Sequence, residues 1–534
     1  VGLMLLLIFL QGIIYPPNNW DSMTYHMGRI ASWVGNHSVS FYPTHIIRQL
    51  YQPPFAEYAI MHIDLLHRND HFSNTVQFFF FLGTIVTITS ITQQLGLGRA
   101  YQSIAAILAA TLPEALLQAS GTQNDVVVSF FIVTACYFAV RAVKRNQLTY
   151  YCFAGLSAGL GLLTKGTAYV YLAPILLLFA IVLLRSAIKY KDYTYITHGF
   201  ISLLLLISVN VAGYTRNYRF CKNILGLDKK EAKTYSNDRM SLGLLLSAIV
   251  KNSSLHLSID HTGAAAEVVD TAVYKLHSLL GVSLKDSTIN YGNMPFTSRA
   301  APTSEDTAPN PLHFILLLAS MIVLLVALIK NRLPAAVILL YVTILLEILF
   351  FCGYLKWQTW HSRLQVPLFM LSVPLICYAI SIKTLYKRLF YIIVPVLLLY
   401  ALAVVCFNNI RPFKTTTRLT TNVSVFTPRY QKYFAAKPHV YNDYKVVTDK
   451  MKQLKLHNIG LITGGDDWVY PLFTHCFSSP FKPVYIQVNN STKTTGRPEY
   501  IDVIVSFKPD APYIDHGNKR YYKQTKTTFL ALYK

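Results

Sequence analysis

Several stretches of this sequence set ionisable side chains directly against long apolar runs. "PPNNWDSMTYHMGRIASW" carries Asp21, "TQNDVVVSFF" carries Asn124 and Asp125, "GLLTKGTAYVY" carries Lys165, and "LKWQTWHSRLQVP" carries Lys356, His361 and Arg363. Met23, Met27, Ile30 and Val34 recur at helical spacing behind Asn19, Asp21 and Ser22. They predict a short amphipathic helix at the membrane surface, with Asp21 at or just before its first turn. A helix dipole favours an ionised carboxylate there, and such a group can accept a proton or hold a cation. The plainer alternative is that Asp21 only caps the helix. In "QPPFAEYAIMH" tandem prolines stop one element and Glu57 opens the next, either as a second acid for the same cleft or as a dipole-stabilising surface residue. Arg216 and Asn217 follow a further apolar run in "GYTRNYRF". A lysine at the depth of Lys165 is costly unless it snorkels or meets an anion. Singly, each residue has an interfacial explanation, because tryptophans belt the interface and cations meet head groups. Together, acids and cations map to one face of a bundle otherwise nearly free of charge. That suits a lipid-linked phosphate, with cations for the phosphate and acids for the reaction.

Membrane helices are the elements that must position these groups. The 534 residues are 53% hydrophobic and 14% charged, against about 25% charged in soluble proteins, and the mean hydropathy is +0.36. This excludes a disordered chain, a disulfide miniprotein and an ordinary cytosolic enzyme. Spans of about 20 apolar residues fall near 1–15, 72–92, 103–119, 125–141, 150–164, 167–184, 196–213, 312–329, 334–352, 364–382 and 390–407. The short loops 93–102, 141–149, 185–195, 330–333 and 383–389 are basic, with Asp192 their one acid. The positive-inside rule puts them in the cytoplasm, and the segments 16–71, 214–311 and 408–534 outside. The last contains strand-like "HNIGLITGG", "KPVYIQV" and "YIDVIVSF" and a helical pattern near 443–456, which predict a small α/β domain. It holds 19 Lys and Arg against eight Asp and Glu. The overall charge of +23 reads as loop bias plus attraction to anionic lipid, not as a nucleic-acid surface. Seven cysteines without a CxxC pair give no zinc site or disulfide framework. His26, His37, His45, His62, His67 and His71 match no metal spacing. There is no P-loop, and no GxGxxG after a strand.

Five stretches, "WDSMTYHMGRIASW", "YQPPFAEYAIMH", "TQNDVVVSFFIVTACYFAVRA", "GLSAGLGLLTKGTAYVYLAP" and "LKWQTWHSRLQVPLF", occur between residue 20 and about 370. In their order they resemble the GT-C class of polyprenyl-phosphate-sugar glycosyltransferases, the dolichyl-phosphate-mannose protein mannosyltransferase-like group with the aminoarabinose and Rgt-type transferases. The resemblance implies an all-α polytopic fold of about eleven transmembrane helices over 1–407, with outer-face loops at 16–71 and 214–311. The α/β domain 408–534 lies outside it. By position, Asp21 matches the acidic residue opening the first outer loop, a candidate base or metal contact, and Asp125 an acid at the outer start of the fourth span. A divalent metal, if used, would sit on Asp21 and Asp125. Lys165 matches a "TK" turn. Arg363 matches a basic residue near the donor phosphate, with His361, Lys356, Lys165 and Arg216 as further candidate phosphate partners. Tyr25, Glu57 and Gln52 fall on the acceptor side. The group often has "DE" where this chain has Asp21-Ser22, and Lys where it has Gln52.

The expected reaction is one inverting displacement on the outer face of a cytoplasmic membrane, in cell-envelope glycan synthesis. A sugar passes from a polyprenyl-phosphate carrier to a hydroxyl of a lipid, glycan or protein, with Asp21 taking or orienting the acceptor proton. No nucleotide or nucleic acid takes part. The alternative is a transporter or flippase for a charged lipid. Such a protein usually holds its ionisable groups near the midplane, often in paired repeats, and no repeat is visible.

Overall fold

The computed structural model describes residues 1–226, 229–258, 263–292, 294–478, 481–495 and 499–534. Apolar runs in lipid must satisfy their own backbone, and here they do so as helices. Among the described residues, seven of the expected spans are helices long and apolar enough to cross a bilayer: Thr75–Gln94, Asp125–Arg145, Ala168–Tyr190, Thr194–Cys221, Pro311–Ile329, Ala335–Tyr354 and Thr384–Cys406. Gly2–Ile14, Leu148–Thr164 and Val366–Ser381 are shorter apolar helices. The stretch expected as one span at 103–119 is instead two helices, Arg99–Ala110 and Pro113–Gln118. Pro113 has no N–H to continue a helix and holds Leu112 extended, at ψ 111°. Small residues let helices approach closely. A Cβ at Gly159 would lie 3.1 Å from the Leu206 carbonyl oxygen, so Leu148–Thr164 and Thr194–Cys221 pack backbone to backbone.

Four of the basic short loops, 93–102, 141–149, 185–195 and 383–389, make contacts with one another. The Lys144 ammonium donates to the Gln94 carbonyl at 2.7 Å, the Asn146 amide to Asp192 at 2.9 Å, and Lys387 sits 5.3 Å over the Tyr101 ring. The three long segments meet at a shared cleft.

The tail forms the expected α/β domain. Its strands are β1 (Asn458–Ile462), β2 (Lys482–Tyr485), β3 (Val503–Ser506), β4 (Tyr513–His516), β5 (Lys519–Tyr522) and β6 (Ala531–Tyr533). The main sheet has order β2-β1-β3-β6, with β1 parallel to β2 and β3 and β6 antiparallel to β3. β4 and β5 form a separate hairpin. The helix Tyr441–Lys452 buries Val447 and Met451.

The amphipathic helix is observed as Met27–Asn36, but it does not lie on a membrane surface. Every residue from Met27 to Trp33 is buried, in one apolar cluster with Val469, Leu461 and Val503 of the tail domain. Gly35 lets the helix approach the tail domain closely, and Gly28 lets Gln49 of the same segment pack against it. A Cβ at Gly28 would meet the Gln49 amide at 2.8 Å, and one at Gly35 would meet Pro483 at 2.8 Å. The docking is also polar. Buried Asp70 accepts bonds from Tyr433, from Tyr470 at 2.8 Å and from Arg429 at 2.9 Å.

Candidate active site

A cleft of about 1140 Å³ opens where the three long segments meet the span ends. Trp20, Asp21, Tyr25, Arg48 and Gln52 come from the first segment, Asp306 from the second and Asp466 from the tail domain. Asn124, Lys165, Arg216, Trp360 and Arg363 come from the ends of helices and the turns beside them.

Asn19, not Asp21, caps the first-loop helix. Its side-chain oxygen accepts the Ser22 N–H at 2.7 Å, and the chain then widens into a π-turn over Ser22–His26. Asp21 makes no capping bond. Its carboxylate instead reaches the Arg363 guanidinium at 2.7 Å and Arg48 at 3.8 Å. Burial favours the neutral acid, yet Arg363, Arg48 and His26 outweigh it and hold the Asp21 pKa at about 2.

Arg363 lies on the short helix His361–Leu364. One terminal nitrogen holds Asp21. The other donates to Asp306 at 2.8 Å and to Gln123 at 3.2 Å. Burial works against the charge, but Asp21 and Asp306 more than offset it, so Arg363 is held as a cation. Arg48 lies 5.1 Å over the Tyr25 ring and bonds Asp466, which also accepts the Trp20 indole N–H at 2.8 Å. The Lys165 ammonium donates to Asp125 at 2.6 Å; burial lowers its pKa against the pull of that carboxylate. Asp125 stands behind Lys165, and its second oxygen is buried with no partner among the described residues. Arg216 stacks 4.6 Å from the Phe41 ring and donates to the Val39 carbonyl at 3.2 Å.

Three expected site residues face elsewhere. His361 is fully buried, with Nδ1 2.8 Å from the Asn252 side-chain oxygen. Burial, then Lys251 and Arg363, push its pKa down to about 3, so it is neutral and no phosphate-binding cation. Lys356 pairs with Asp238 at 2.9 Å, outside the cleft lining. Glu57 is neither a cleft acid nor a surface residue. It is buried 2.7 Å from His26 and 3.4 Å from Arg29, bracing the Tyr25–His26 turn from behind. Trp357, expected in the interfacial belt, is buried against Phe296 at 5.3 Å.

Arg48, Asp306, Asp466 and Trp20 were not singled out by local pattern. One signal was available: the sequence has two pairs of adjacent acids, Glu305-Asp306 and Asp466-Asp467, and each contributes a residue to the cleft.

No group of three or more His, Cys, Asp or Glu among the described residues is arranged to hold a metal ion. The pair expected to take a divalent metal is engaged by the protein's own cations, Asp21 by Arg363 and Arg48 and Asp125 by Lys165. This donor set does not fit a metal as arranged.

The fold is an ArnT-like GT-C architecture. The chain superimposes on ArnT from Cupriavidus metallidurans bound to undecaprenyl phosphate with a TM-score of 0.56, at 11% identity, covering 100% of this chain and 96% of that one. For apo ArnT from the same organism the TM-score is 0.52 at 9% identity, with the same coverage. Residues 51–211 match the family described as dolichyl-phosphate-mannose-protein mannosyltransferase. The chain thus shares the ArnT fold over its whole length, and its similarity to the mannosyltransferase family lies in residues 51–211. A comparison with curated proteins finds no match.

Proposed function

We propose that this protein moves a sugar from a polyprenyl-phosphate carrier to an acceptor hydroxyl on the outer face of the cytoplasmic membrane, in cell-envelope glycan synthesis. The observation that carries the proposal is the meeting of Arg363, Lys165 and Arg48 in one cleft where apolar span ends join the outer segments. A phosphate on a lipid tail needs that junction: cations for its head and helix surface for its chain. Undecaprenyl phosphate, the ligand of the ArnT structure, has that chemistry.

In the reaction the acceptor oxygen attacks the anomeric carbon on the face opposite the phosphate. The carbon–oxygen bond to phosphate breaks, and its electron pair leaves with the phosphate. Arg363 and Lys165 stabilise that charge in a water-poor site, usually a large share of such catalysis. Asp21 holds Arg363 and Arg48 in place. Tyr25 and Gln52 line the acceptor side of the same cleft. Release of polyprenyl phosphate on adding acceptor is the test; movement of intact donor across the bilayer without release would favour transport instead.

Sidedness gives a separate prediction. In a background without the seven native cysteines, F426C and K285C are expected to react with an impermeant thiol reagent in intact spheroplasts, while R145C and R388C do not. Phe426 is 94% exposed, so access and not burial decides its labelling. Labelling at 145 but not at 426 would invert the orientation.

A further inference from the structure

Arg363 lies between two carboxylates that differ in what they leave free. Asp21 has both oxygens facing cations: Oδ2 is 2.7 Å from Arg363 and Oδ1 is 3.8 Å from Arg48. Asp306 makes its side-chain contacts through one oxygen. Its Oδ1 accepts from Arg363 at 2.8 Å and from Gln123 at 3.4 Å, and no described group engages Oδ2. The Asp306 side chain is 45% exposed against 13% for Asp21, and both line the cleft. A phosphate seeking Arg363 therefore competes more readily with Asp306, which has one cationic partner, than with Asp21, which has two. The backbone at Asp306 is fixed from behind, because its neighbour Glu305 is clasped by buried Arg411.

We propose that Asp306 is the catalytic base: the donor phosphate takes its place on Arg363, and the freed carboxylate removes the proton of the acceptor hydroxyl. The inference rests on the polyprenyl-phosphate reading above. The acceptor O–H bond breaks and its proton goes to Asp306 Oδ2. The acceptor oxygen bonds the anomeric carbon, and the lipid phosphate departs with the electron pair of the old bond. Protonated Asp306 then returns its proton to water. The proton affinities agree with this division. The surrounding walls of the cleft desolvate Asp306 and raise its pKa against the pull of Arg363, even though its side chain stays partly open, whereas Asp21 at about 2 is a poor proton acceptor. The charged groups facing Asp306 are Arg363, Asp21, Glu305 and Glu114.

The experiment has two arms on wild type, D306N, D306E and D21N, all as full chains. The first measures binding of undecaprenyl phosphate in nanodiscs. The second follows radiolabel from polyprenyl-phosphate sugars into glycan in native-host membranes. D306N is expected to bind undecaprenyl phosphate at least as tightly as wild type, yet to lose transfer by about 100-fold or more, with partial recovery in D306E. D21N is expected to weaken the phosphate binding. The wild-type rate falls on the acid side as Asp306 takes up a proton, and the residual D306N rate lacks that limb. A D306N rate within about threefold of wild type, or loss of its phosphate binding, overturns the base assignment while leaving the donor reading intact. Failure of wild type to bind undecaprenyl phosphate overturns the donor reading, and this inference falls with it.

Discussion

Arg363→Lys is expected to lower sugar transfer by about 100-fold, although it keeps the charge; that is roughly 2.7 kcal/mol of transition-state stabilisation. The guanidinium holds Asp21 with one nitrogen at 2.7 Å and Asp306 with the other at 2.8 Å. Two fixed donors in one plane can pass from a carboxylate to a phosphate without turning the side chain, and a lysine ammonium offers a single flexible point charge instead. Arg363→Ala is expected to lose more, and to weaken undecaprenyl phosphate binding at least tenfold, because it leaves Asp306 beside Asp21 with no cation between them. The rival account makes Arg363 an anchor of the following span to lipid head groups. Lysine snorkels as well as arginine, so under that account Arg363→Lys is silent. Initial rates against donor concentration, at matched expression, separate the two. A fully active lysine variant removes Arg363 from the reaction and leaves the phosphate to Lys165 or Arg216.

The parts of this protein legible in its sequence are those set by local regularity. Apolar runs give the spans because a bilayer requires about 20 such residues in a row. Strands β1 and β3 appear in "NIGLI" and "VIVS", short apolar runs rich in β-branched residues that need no distant partner to be recognised. Asp21, Lys165 and Arg363 stand out because charge beside an apolar run is costly. What local pattern cannot give is the partner. Arg363 meets Asp306 and Asp21 across sequence separations of 57 and 342 residues. Nor does it give the direction in which adjacent residues face. Lys356, His361 and Arg363 look alike as three cations within eight residues. In the fold the Lys356 N–H bonds the Tyr235 carbonyl at 2.9 Å and the Trp357 N–H bonds Ile289 at 2.8 Å. That pairing ties 356–357 to the second long segment, while Leu355 and Gln358 on either side of them, and Arg363 beyond, line the cleft. The first-loop helix shows the same limit. Its amphipathic pattern was legible, but the surface it meets is the tail domain and not lipid.

The second large effect lies outside the cleft. Arg411→Met is expected to destabilise the protein by about 3–5 kcal/mol, the cost of stripping one partner from a buried ion pair. Arg411 is fully buried just beyond the last span. It donates to Ser120 at 3.1 Å, to Asn18 at 3.0 Å, to the Leu117 carbonyl at 3.0 Å, and to Glu305. It thereby joins the first loop, the end of the Pro113–Gln118 helix and the second long segment at one point. Burial already raises the Glu305 pKa, with Arg411 opposing it, and the second Glu305 oxygen is buried with no partner among the described residues. Methionine keeps most of the apolar volume but leaves that acid alone. Replacing both members of a buried pair is far less costly than replacing one, so R411M/E305Q is expected to recover much of the lost stability. A purely steric role for Arg411 predicts no such recovery. Thermal unfolding in detergent of wild type, R411M, E305Q and the double variant reads the coupling directly, and additive losses would dismiss the pair. Because Asp306 follows Glu305 in the chain, R411M is also expected to depress transfer at temperatures where it remains folded, and the recovered double variant to regain part of it.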